Sequence, residues 1–347
     1  MQEGSHLMII IYVTATFIFR KHGKYFRHTS FQNNRQHCIL TLISSGMDAT
    51  TEPPAMPFLA SSFYVTLFDI LQGLLFSLLL LVFLTAQFSS VVKRSNTWFV
   101  FIGSTTVWCA SYLLLIGQQI GEEPSVGYCT FQAALIYSSN PFAVCAALAL
   151  ELELFINLET ALSRLGPVNK KWPQGLVLFP VFMFFIVFIW TVSVGIAHPN
   201  LVEREATNMF CHIKVSPEIG LAQPFVVSAT VTLLVEIFVV VFSVWTNKIL
   251  FQHKKKTGVF PSENSSPFSM SVFIRRNALM TALTILGIIM ATTSFVESGN
   301  PNCAAWNLSL TAMPICTFLL FGTRTDLLRV WFCLGALRDQ KTEVSSV

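Results

Sequence analysis

Seven apolar stretches between residues 63 and 322 constrain the fold of this chain more than any other feature of its sequence. They run over 63–88, 97–118, 129–157, 174–197, 221–247, 277–296 and 305–322. An α-helix of about 20 apolar residues crosses the hydrocarbon core of a bilayer, and each stretch is close to that length. The sequence therefore predicts an all-α membrane protein whose transmembrane domain, 63–322, is a seven-helix bundle.

The basic residues predict the orientation of this bundle. Of the 22 lysines and arginines, fifteen fall in alternate connections or after the last stretch, whereas the other connections between stretches hold only Arg204 and Lys214. Positive charge stays on the cytoplasmic side during insertion. We therefore expect the N-terminus, 1–62, to be extracellular and the tail, 323–347, to be cytoplasmic.

The composition supports a membrane domain and argues against a nucleic-acid partner. Hydrophobic residues make up 53% of the chain and charged residues only 12%, about half the charged fraction of a soluble domain. The net charge of +4 follows from inner connections that lie beside anionic lipid. It is not the footprint of a DNA- or RNA-binding surface.

Residues 1–46 do not fit the pattern of the rest. Their apolar run, Leu7–Phe19, has 13 residues and is shorter than a membrane span. Its cations follow the apolar run, whereas a signal peptide carries them in front. We expect 1–46 to be disordered or dispensable, with a short interfacial helix as the alternative.

Two cysteines fall on the predicted outer face, where the compartment is oxidising. Cys129 opens the third stretch, and Cys211 lies in the longest outer connection, 198–220. A disulfide between them would hold that connection over the mouth of the bundle. The alternative is two free thiols. Cys109, Cys145 and Cys316 lie inside stretches and are expected to be small core residues.

Several kinds of catalytic and cofactor chemistry lack their residues here. All seven histidines fall outside the apolar stretches, which argues against a buried haem pair or zinc site. The motifs His-Glu-x-x-His and Gly-x-Ser-x-Gly and a phosphate-binding glycine loop are absent from the sequence. We predict no enzymatic activity, no cofactor and no metal.

Polar side chains inside the stretches are the candidates for ligand contact. An acidic group at the bilayer centre costs about 2.5–3.5 kcal/mol, so it is expected to face the bundle interior. The candidate ligand-binding residues are Asp69, Gln72, Asn140 and Glu236. The alternative is that the carboxyl groups are protonated and hydrogen-bonded to neighbouring helices.

Prolines and an amphipathic segment complete the pattern. Pro141, Pro180, Pro224 and Pro314 predict kinks in the third, fourth, fifth and seventh helices. After Gly322 the sequence predicts a short amphipathic helix in the inner interface, with Asp326 and Arg329 opposite its apolar face. Its Cys333 is a candidate for lipidation, or else a free thiol.

One resemblance can be drawn from these motifs. Cys129-Thr130-Phe131-Gln132 resembles the Cys-x-x-Gln that opens helix three in cAMP-receptor-like and related G-protein-coupled receptors. The segments 133–150 and 321–331 are similar to orphan seven-helix receptor-like proteins of basidiomycete fungi, and the resemblance covers about 47–338. The chain departs from rhodopsin-like receptors, because Asp/Glu-Arg-Tyr and Asn-Pro-x-x-Tyr are both missing. Rhodopsin-like switch residues are therefore not carried over.

The resemblance implies a multi-pass plasma-membrane receptor that senses an extracellular ligand and signals through a heterotrimeric G protein. Glu153, Asn157 and Thr160 form a polar stripe at the inner end of the third helix. The candidate coupling residues are this stripe together with Arg164, Lys254, Lys255, Lys256, Arg275 and Arg276. The alternative for the basic residues is anchoring to anionic lipid. The alternatives for the whole protein are a transporter or proton- or cation-conducting protein that uses the buried carboxylates, and a membrane scaffold.

Overall fold

The fold of this chain is helical, and every residue described below belongs to one compact unit that begins at Phe58. The structure is a computed structural model, and it describes residues 58–89, 92, 94–163, 172–205, 207–216, 219–257, 307, 308 and 310–331. The predicted sixth stretch, 277–296, and the N-terminal segment 1–57 lie outside the described residues.

Seven α-helices occur in the described part of the chain. We number them α1 (Phe58–Phe88), α2 (Asn96–Leu113), α3 (Val126–Ser163), α4 (Trp172–Ala197), α5 (Pro224–Thr257), α6 (Ala312–Phe321) and α7 (Thr325–Trp331). Two short strands, β1 (Val202–Arg204) and β2 (Cys211–Ile213), form an antiparallel hairpin between α4 and α5. Single-turn 3₁₀ helices, Pro199–Leu201 and Gly220–Ala222, flank this hairpin.

Four of these helices, α1, α3, α4 and α5, are long and apolar enough to cross a membrane. The large apolar side chains of α4 show where lipid would lie, because Leu178, Phe182, Ile189 and Ile196 are each more than 60% exposed. Their spacing puts them on one side of the helix. A face of this kind suits contact with hydrocarbon, since backbone groups are satisfied within the helix and the side chains need no water.

The helix ends differ from the limits that the apolar stretches predicted. The second stretch was predicted to reach 118, but α2 ends at Leu113, and the turns that follow contain Gly117 with a φ of 86°. Conversely, α5 continues ten residues past 247. Lys254–Lys256 therefore belong to the last turns of a helix, and the prediction that a loop begins at 248 was wrong.

Helix α2 is rich in serine and threonine, and it bonds several of its hydroxyl groups within itself. Ser104, Thr105, Thr106 and Ser111 are buried, and each donates a hydrogen bond to a carbonyl three or four residues earlier at 2.7–3.0 Å. Ser95 caps the first turn by accepting from the backbone N–H of Trp98. Such local bonding lets a helix with many hydroxyl side chains be buried without leaving these hydroxyl groups unpaired.

Helix α3 lies at the centre of the described bundle and packs against α2, α4, α5 and both strands. Small buried residues, Ala133, Ala134 and Ala146, let neighbouring helices approach it closely. The contact with α4 is the tightest of these. A Cβ atom placed on Gly195 would lie 2.4 Å from the Cγ2 of Thr130, so only glycine fits there.

Two of the four predicted proline kinks are not possible where the structure places the prolines. Pro141 and Pro180 lie inside α3 and α4, but Pro224 is the first residue of α5 and Pro314 lies in the first turn of α6. The first turn of a helix has no intrahelical partner for its N–H groups, so proline removes nothing there. The kink predictions for the fifth and seventh helices were wrong for that reason.

Pro141 has a consequence that connects two helices. Its missing N–H leaves the carbonyl of Tyr137, four residues earlier, without its helical partner. Ser228 of α5 donates its hydroxyl to that carbonyl at 2.7 Å. The interruption in α3 is therefore compensated by a hydrogen bond from α5, which joins the two helices near their hairpin ends.

Gly195 provides a test of the α3–α4 packing. Gly195→Ala should destabilise the protein by about 1–3 kcal/mol, because the new methyl group overlaps Thr130 and forces the helices apart. The double variant Gly195→Ala with Thr130→Ala should recover most of this loss. Thermal unfolding of the purified protein in detergent measures both changes.

Gly175, in the same helix, is the matched control, because no atom lies within 4 Å of a Cβ placed there. Gly175→Ala should leave stability unchanged or raise it slightly, since alanine favours helix more than glycine does. Equal losses for Gly175→Ala and Gly195→Ala would contradict the proposed close contact.

Candidate functional site

The hairpin between α4 and α5 forms one end of the bundle, which we call the hairpin end. In its ladder Val202 pairs with Ile213, Glu203 with His212, and Arg204 with Cys211. A turn joins the strands, and within it Asn208 adopts a φ of 62°, a conformation that asparagine tolerates better than most residues. The strands thus carry Cys211 and Arg204 side by side toward the helices.

The predicted disulfide is confirmed, and it connects the hairpin to the first turn of α3. Cys129 and Cys211 are bonded, with their Cα atoms 5.2 Å apart. Both residues are at most 2% exposed and pack in one apolar cluster with Leu115, Ala133 and Ile213. The bond therefore lies within a packed core, where it fixes β2 against the start of α3.

Gln132, one helical turn after Cys129, reinforces this junction with both ends of its amide. Its Oε1 accepts the backbone N–H of Cys211 at 3.1 Å, and its Nε2 donates to the carbonyl of Ser111 at 3.1 Å. One fully buried side chain thereby joins α2, α3 and β2. The Cys-x-x-Gln motif is visible in the sequence, but no role for Gln132 was predicted from it.

Arg204 ties the hairpin to the connection between α2 and α3. Its guanidinium donates to the carbonyls of Gln118 and Gly121 at 2.9 and 3.2 Å. The planar fork of an arginine side chain suits such bonding to two carbonyls. In the sequence, Arg204 was evidence only for the orientation of the bundle in the membrane.

A third attachment connects the hairpin turn to the segment before α6. Thr207 donates its backbone N–H to the Glu205 carboxylate at 2.7 Å, and its hydroxyl bonds the same carboxylate. Asn307 then donates to the Thr207 hydroxyl at 2.9 Å. These bonds use the Asn307 side chain, which is 8% exposed, so the hairpin also contacts the approach to α6.

Glu236 lies in the interior of the bundle beside a cavity of about 30 Å³. Glu236 is 3% exposed, and its Oε2 has no hydrogen-bond partner among the described residues. Residues of α2, α3, α5 and α6 line the cavity: Phe101, Thr105, Trp108, Ala143, Val144, Ala147, Val239, Met313 and Thr317. Glu236 is the only candidate ligand-binding residue from the sequence that lines it.

The other three candidates are dispersed. Asp69 accepts a hydrogen bond from Gln119 at 2.9 Å, which links α1 to the connection after α2. Gln72 is completely buried, and neither of its polar atoms has a partner in the described part of the chain. Asn140 is half-buried on α3 beside Pro141 and does not border the cavity. The structure therefore does not gather the four candidates into one site.

The opposite end of the bundle, which we call the α7 end, contains an ion pair between distant parts of the chain. Arg94, which precedes α2, pairs with Asp326 of α7, and its guanidinium lies 5.5 Å from the ring centroid of Trp98. Arg324 Nε lies 3.5 Å from the second oxygen of Asp326. Asp326 was predicted to face water, but it binds the start of α2.

The apolar side of α7 packs against protein. Leu327 is fully buried in a cluster with Val82, Trp98 and Phe321, and the indole of Trp331 donates to the Thr85 hydroxyl at 2.9 Å. A short helix is confirmed for Thr325–Trp331. Phe332 and the candidate lipidation site Cys333 lie outside the described residues.

The polar stripe of α3 is only partly joined to its neighbours. Glu153 accepts a hydrogen bond from the Thr97 hydroxyl of α2, whereas Thr160 donates to the carbonyl of Ile156 in its own helix and Asn157 is exposed. Arg164, Arg275 and Arg276 lie outside the described residues, and the side chains of Lys254–Lys256 are not described.

Burial and neighbouring charges perturb three titratable groups at the two ends. Burial lowers the pKa of His212, while the nearby Glu203 and Glu205 act in the opposite direction. Burial and Arg324 lower the pKa of Arg94, which Asp326 partly offsets. Burial alone would raise the pKa of Asp326, but Arg94 and Arg324 outweigh it and hold that pKa below its usual value. These directions are consistent with an ionised Arg94–Asp326 pair.

No protein-family model matches the chain, and no curated protein matches it. Among the residues that the structure describes, no cluster of three or more His, Cys, Asp or Glu side chains could hold a metal ion.

The disulfide junction gives the first prediction from this site. Cys211→Ser should destabilise the protein by about 2–5 kcal/mol and reduce its surface expression, because the bridge closes a long loop. Cys129→Ser and the double variant should lose the same amount as the single variant, since all three lack one and the same bond. Peptide mapping without reduction should recover the two cysteines linked.

Cys316→Ser is the control, since the thiol of Cys316 is free and half-buried; it should express normally. Full alkylation of both Cys129 and Cys211 in the folded, unreduced protein would contradict the junction.

The Arg94–Asp326 pair gives a second prediction, which depends on pH. Asp326→Asn should cost about 1–3 kcal/mol at neutral pH, as expected for hydrogen bonds to charged groups. A carboxyl group with a lowered folded-state pKa stabilises above its unfolded value, near 4, and loses this contribution as the pH falls below it. The stabilities of the variant and the parent protein should therefore converge below about pH 4 in thermal unfolding.

Glu203→Gln serves as the control, because Glu203 bonds Lys214 at the protein surface at 2.5 Å. Its loss should be below about 1 kcal/mol at every pH. A difference for Asp326→Asn that persists undiminished at pH 3 would show that the ion pair is not its cause.

Proposed function

We propose that this protein is a seven-helix plasma-membrane receptor that binds an extracellular ligand and activates a heterotrimeric G protein. Its hairpin end would face outside and its α7 end the cytoplasm, as the distribution of basic residues favours. The resemblance of the Cys129–Gln132 segment to G-protein-coupled receptors supports this proposal. Four helices that are long and apolar enough to cross a membrane are consistent with it.

The observation that carries the proposal is the attachment of one short hairpin to three separate parts of the bundle. A disulfide and Gln132 hold it to α3, Arg204 holds it to the α2–α3 connection, and Thr207 contacts Asn307 before α6. A hairpin fixed in this way can shape the entrance to a binding site between the helices.

The helices that meet the hairpin continue to the α7 end, which gives a route for a change of state. Helix α3 carries Cys129 near its start and Glu153 near its other end, about 36 Å apart at 1.5 Å per residue. Glu153 contacts Thr97 on α2, and the same helix start is held by Arg94 and Asp326. In the proposed mechanism the ligand favours a bundle state in which these contacts rearrange and open a site for the G protein.

One observation favours a second function. The Oε2 atom of Glu236 is buried without a partner in the described part of the bundle, as in a proton or cation relay. A transporter or proton-conducting protein would then move ions through the bundle in proteoliposomes. Glu236→Gln would abolish that flux, whereas a receptor would show no flux to abolish.

Formation of a complex with a G protein tests the receptor proposal. The full-length protein, purified in nanodiscs, should retain a heterotrimer in the absence of nucleotide and release it when a non-hydrolysable GTP analogue is added. The same preparation should accelerate nucleotide exchange by the heterotrimer. Neither retention nor exchange with any heterotrimer of the host cell would contradict the proposal.

The basic residues at the end of α5 provide a prediction about where the G protein binds. Replacing Lys254, Lys255 and Lys256 with glutamine should reduce nucleotide exchange several-fold, because cations at this helix end would contact the G protein. Expression should stay normal, since other basic residues still specify orientation.

Lys214→Gln at the hairpin end is the matched control, since it removes a charge that lies on the other side of the membrane in this proposal. Exchange should be unchanged in this variant. Normal nucleotide exchange in the triple variant would favour the alternative that the three lysines only anchor the helix to anionic lipid.

A further inference from the structure

We propose that the cavity beside Glu236 binds an organic ammonium group, so that the ligand of this protein is an organic amine. The inference rests on the proposed receptor function for its signalling role. The binding itself follows from the cavity and is testable without any G protein.

The cavity lies near the middle of the bundle. It borders Ala143 and Ala147 of α3, which follow Cys129 by about 21–27 Å along the helix at 1.5 Å per residue. Glu236 enters it from α5, and Phe101 and Trp108 enter it from α2. A ligand bound there contacts helices that also reach both ends of the molecule.

The buried carboxyl group of Glu236 is the first reason to expect a cation. The residue is 3% exposed, and its Oε2 has no partner among the residues that the structure describes. A carboxylate is stable in such surroundings only with an opposite charge or a set of hydrogen-bond donors beside it. The basic side chains whose contacts the structure describes, including Arg94 and Arg204, are engaged at the two ends of the bundle.

The walls of the cavity select the kind of cation. Aromatic rings of Phe101 and Trp108 and the aliphatic side chains of Val144 and Val239 make most of the lining. Aromatic faces attract organic ammonium groups through cation–π interaction. A hard inorganic cation needs about six oxygen ligands, and among the described residues the lining provides side-chain oxygens only from Glu236, Thr105 and Thr317.

The size of the cavity limits what enters it. The cavity measures about 30 Å³, which is small for a ligand pocket. A small ammonium ion such as methylammonium is therefore the simplest probe of the site.

Methylammonium is the probe that matches this space, and methanol is its uncharged counterpart of nearly equal size. The full-length protein in uncharged detergent is titrated with each compound at constant ionic strength, and binding is followed by saturation-transfer NMR and thermal unfolding. Methylammonium should bind saturably in the millimolar range, as tightly as two non-hydrogen atoms allow. Methanol should not bind at the same concentrations.

Two variants test whether the signal comes from this cavity. Glu236→Gln keeps the size of the side chain and removes the charge, and should weaken methylammonium binding by about tenfold or more. Ala143→Val fills the space without changing Glu236, and should also abolish binding. Glu122→Gln, the same change on an exposed residue, should bind as the parent protein does.

The outcomes separate this inference from the proposed function. Methylammonium binding that is unchanged in both Glu236→Gln and Ala143→Val overturns the inference, as does the absence of saturable binding in a folded parent protein. Nucleotide exchange without amine binding would overturn the ammonium site and leave the receptor proposal intact. Amine binding without any G-protein complex would support the site and contradict the receptor proposal.

Discussion

The disulfide between Cys129 and Cys211 joins the first turn of α3 to β2. Other residues of the hairpin bond the α2–α3 connection and the segment before α6. Gln132 adds hydrogen bonds to α2 and to the backbone of Cys211 itself. Because this junction is buried, its polar atoms have no water to bond and must find partners within the protein. The hairpin is therefore held in one position, and α3 begins from a fixed point.

From that point α3 organises the other helices. Close packing at Gly195 brings α4 near, and the gap that Pro141 leaves in the α3 hydrogen-bond ladder is closed by Ser228 of α5. At the α7 end Glu153 contacts α2, whose start is also held to α7 through Arg94 and Asp326. One helix thus has contacts at both ends of the bundle.

The length and composition of the apolar stretches predicted where helices form, because a run of about 20 apolar residues has few other stable environments. The disulfide followed from the compartment in which its two cysteines were expected. The roles of Gln132, Arg204 and Gln119 could not be predicted, because each bonds a group that is distant in the sequence. Bonds of this kind leave no periodic pattern in the sequence. Apolar length also does not show where a proline falls within a helix, and Pro224 was therefore misjudged.

The central claim is that the hairpin end and the α7 end lie on opposite sides of the membrane, with the hairpin outside. Two variants, Lys214→Cys and Gln252→Cys, test this claim in a background in which Cys38, Cys303 and Cys333 are changed to serine. Lys214 lies beside the hairpin, and Gln252 is exposed near the other end of α5. An impermeant maleimide should label Lys214→Cys in intact cells and Gln252→Cys only after permeabilisation. Labelling of both positions in intact cells, or labelling of Gln252→Cys alone, would contradict the account.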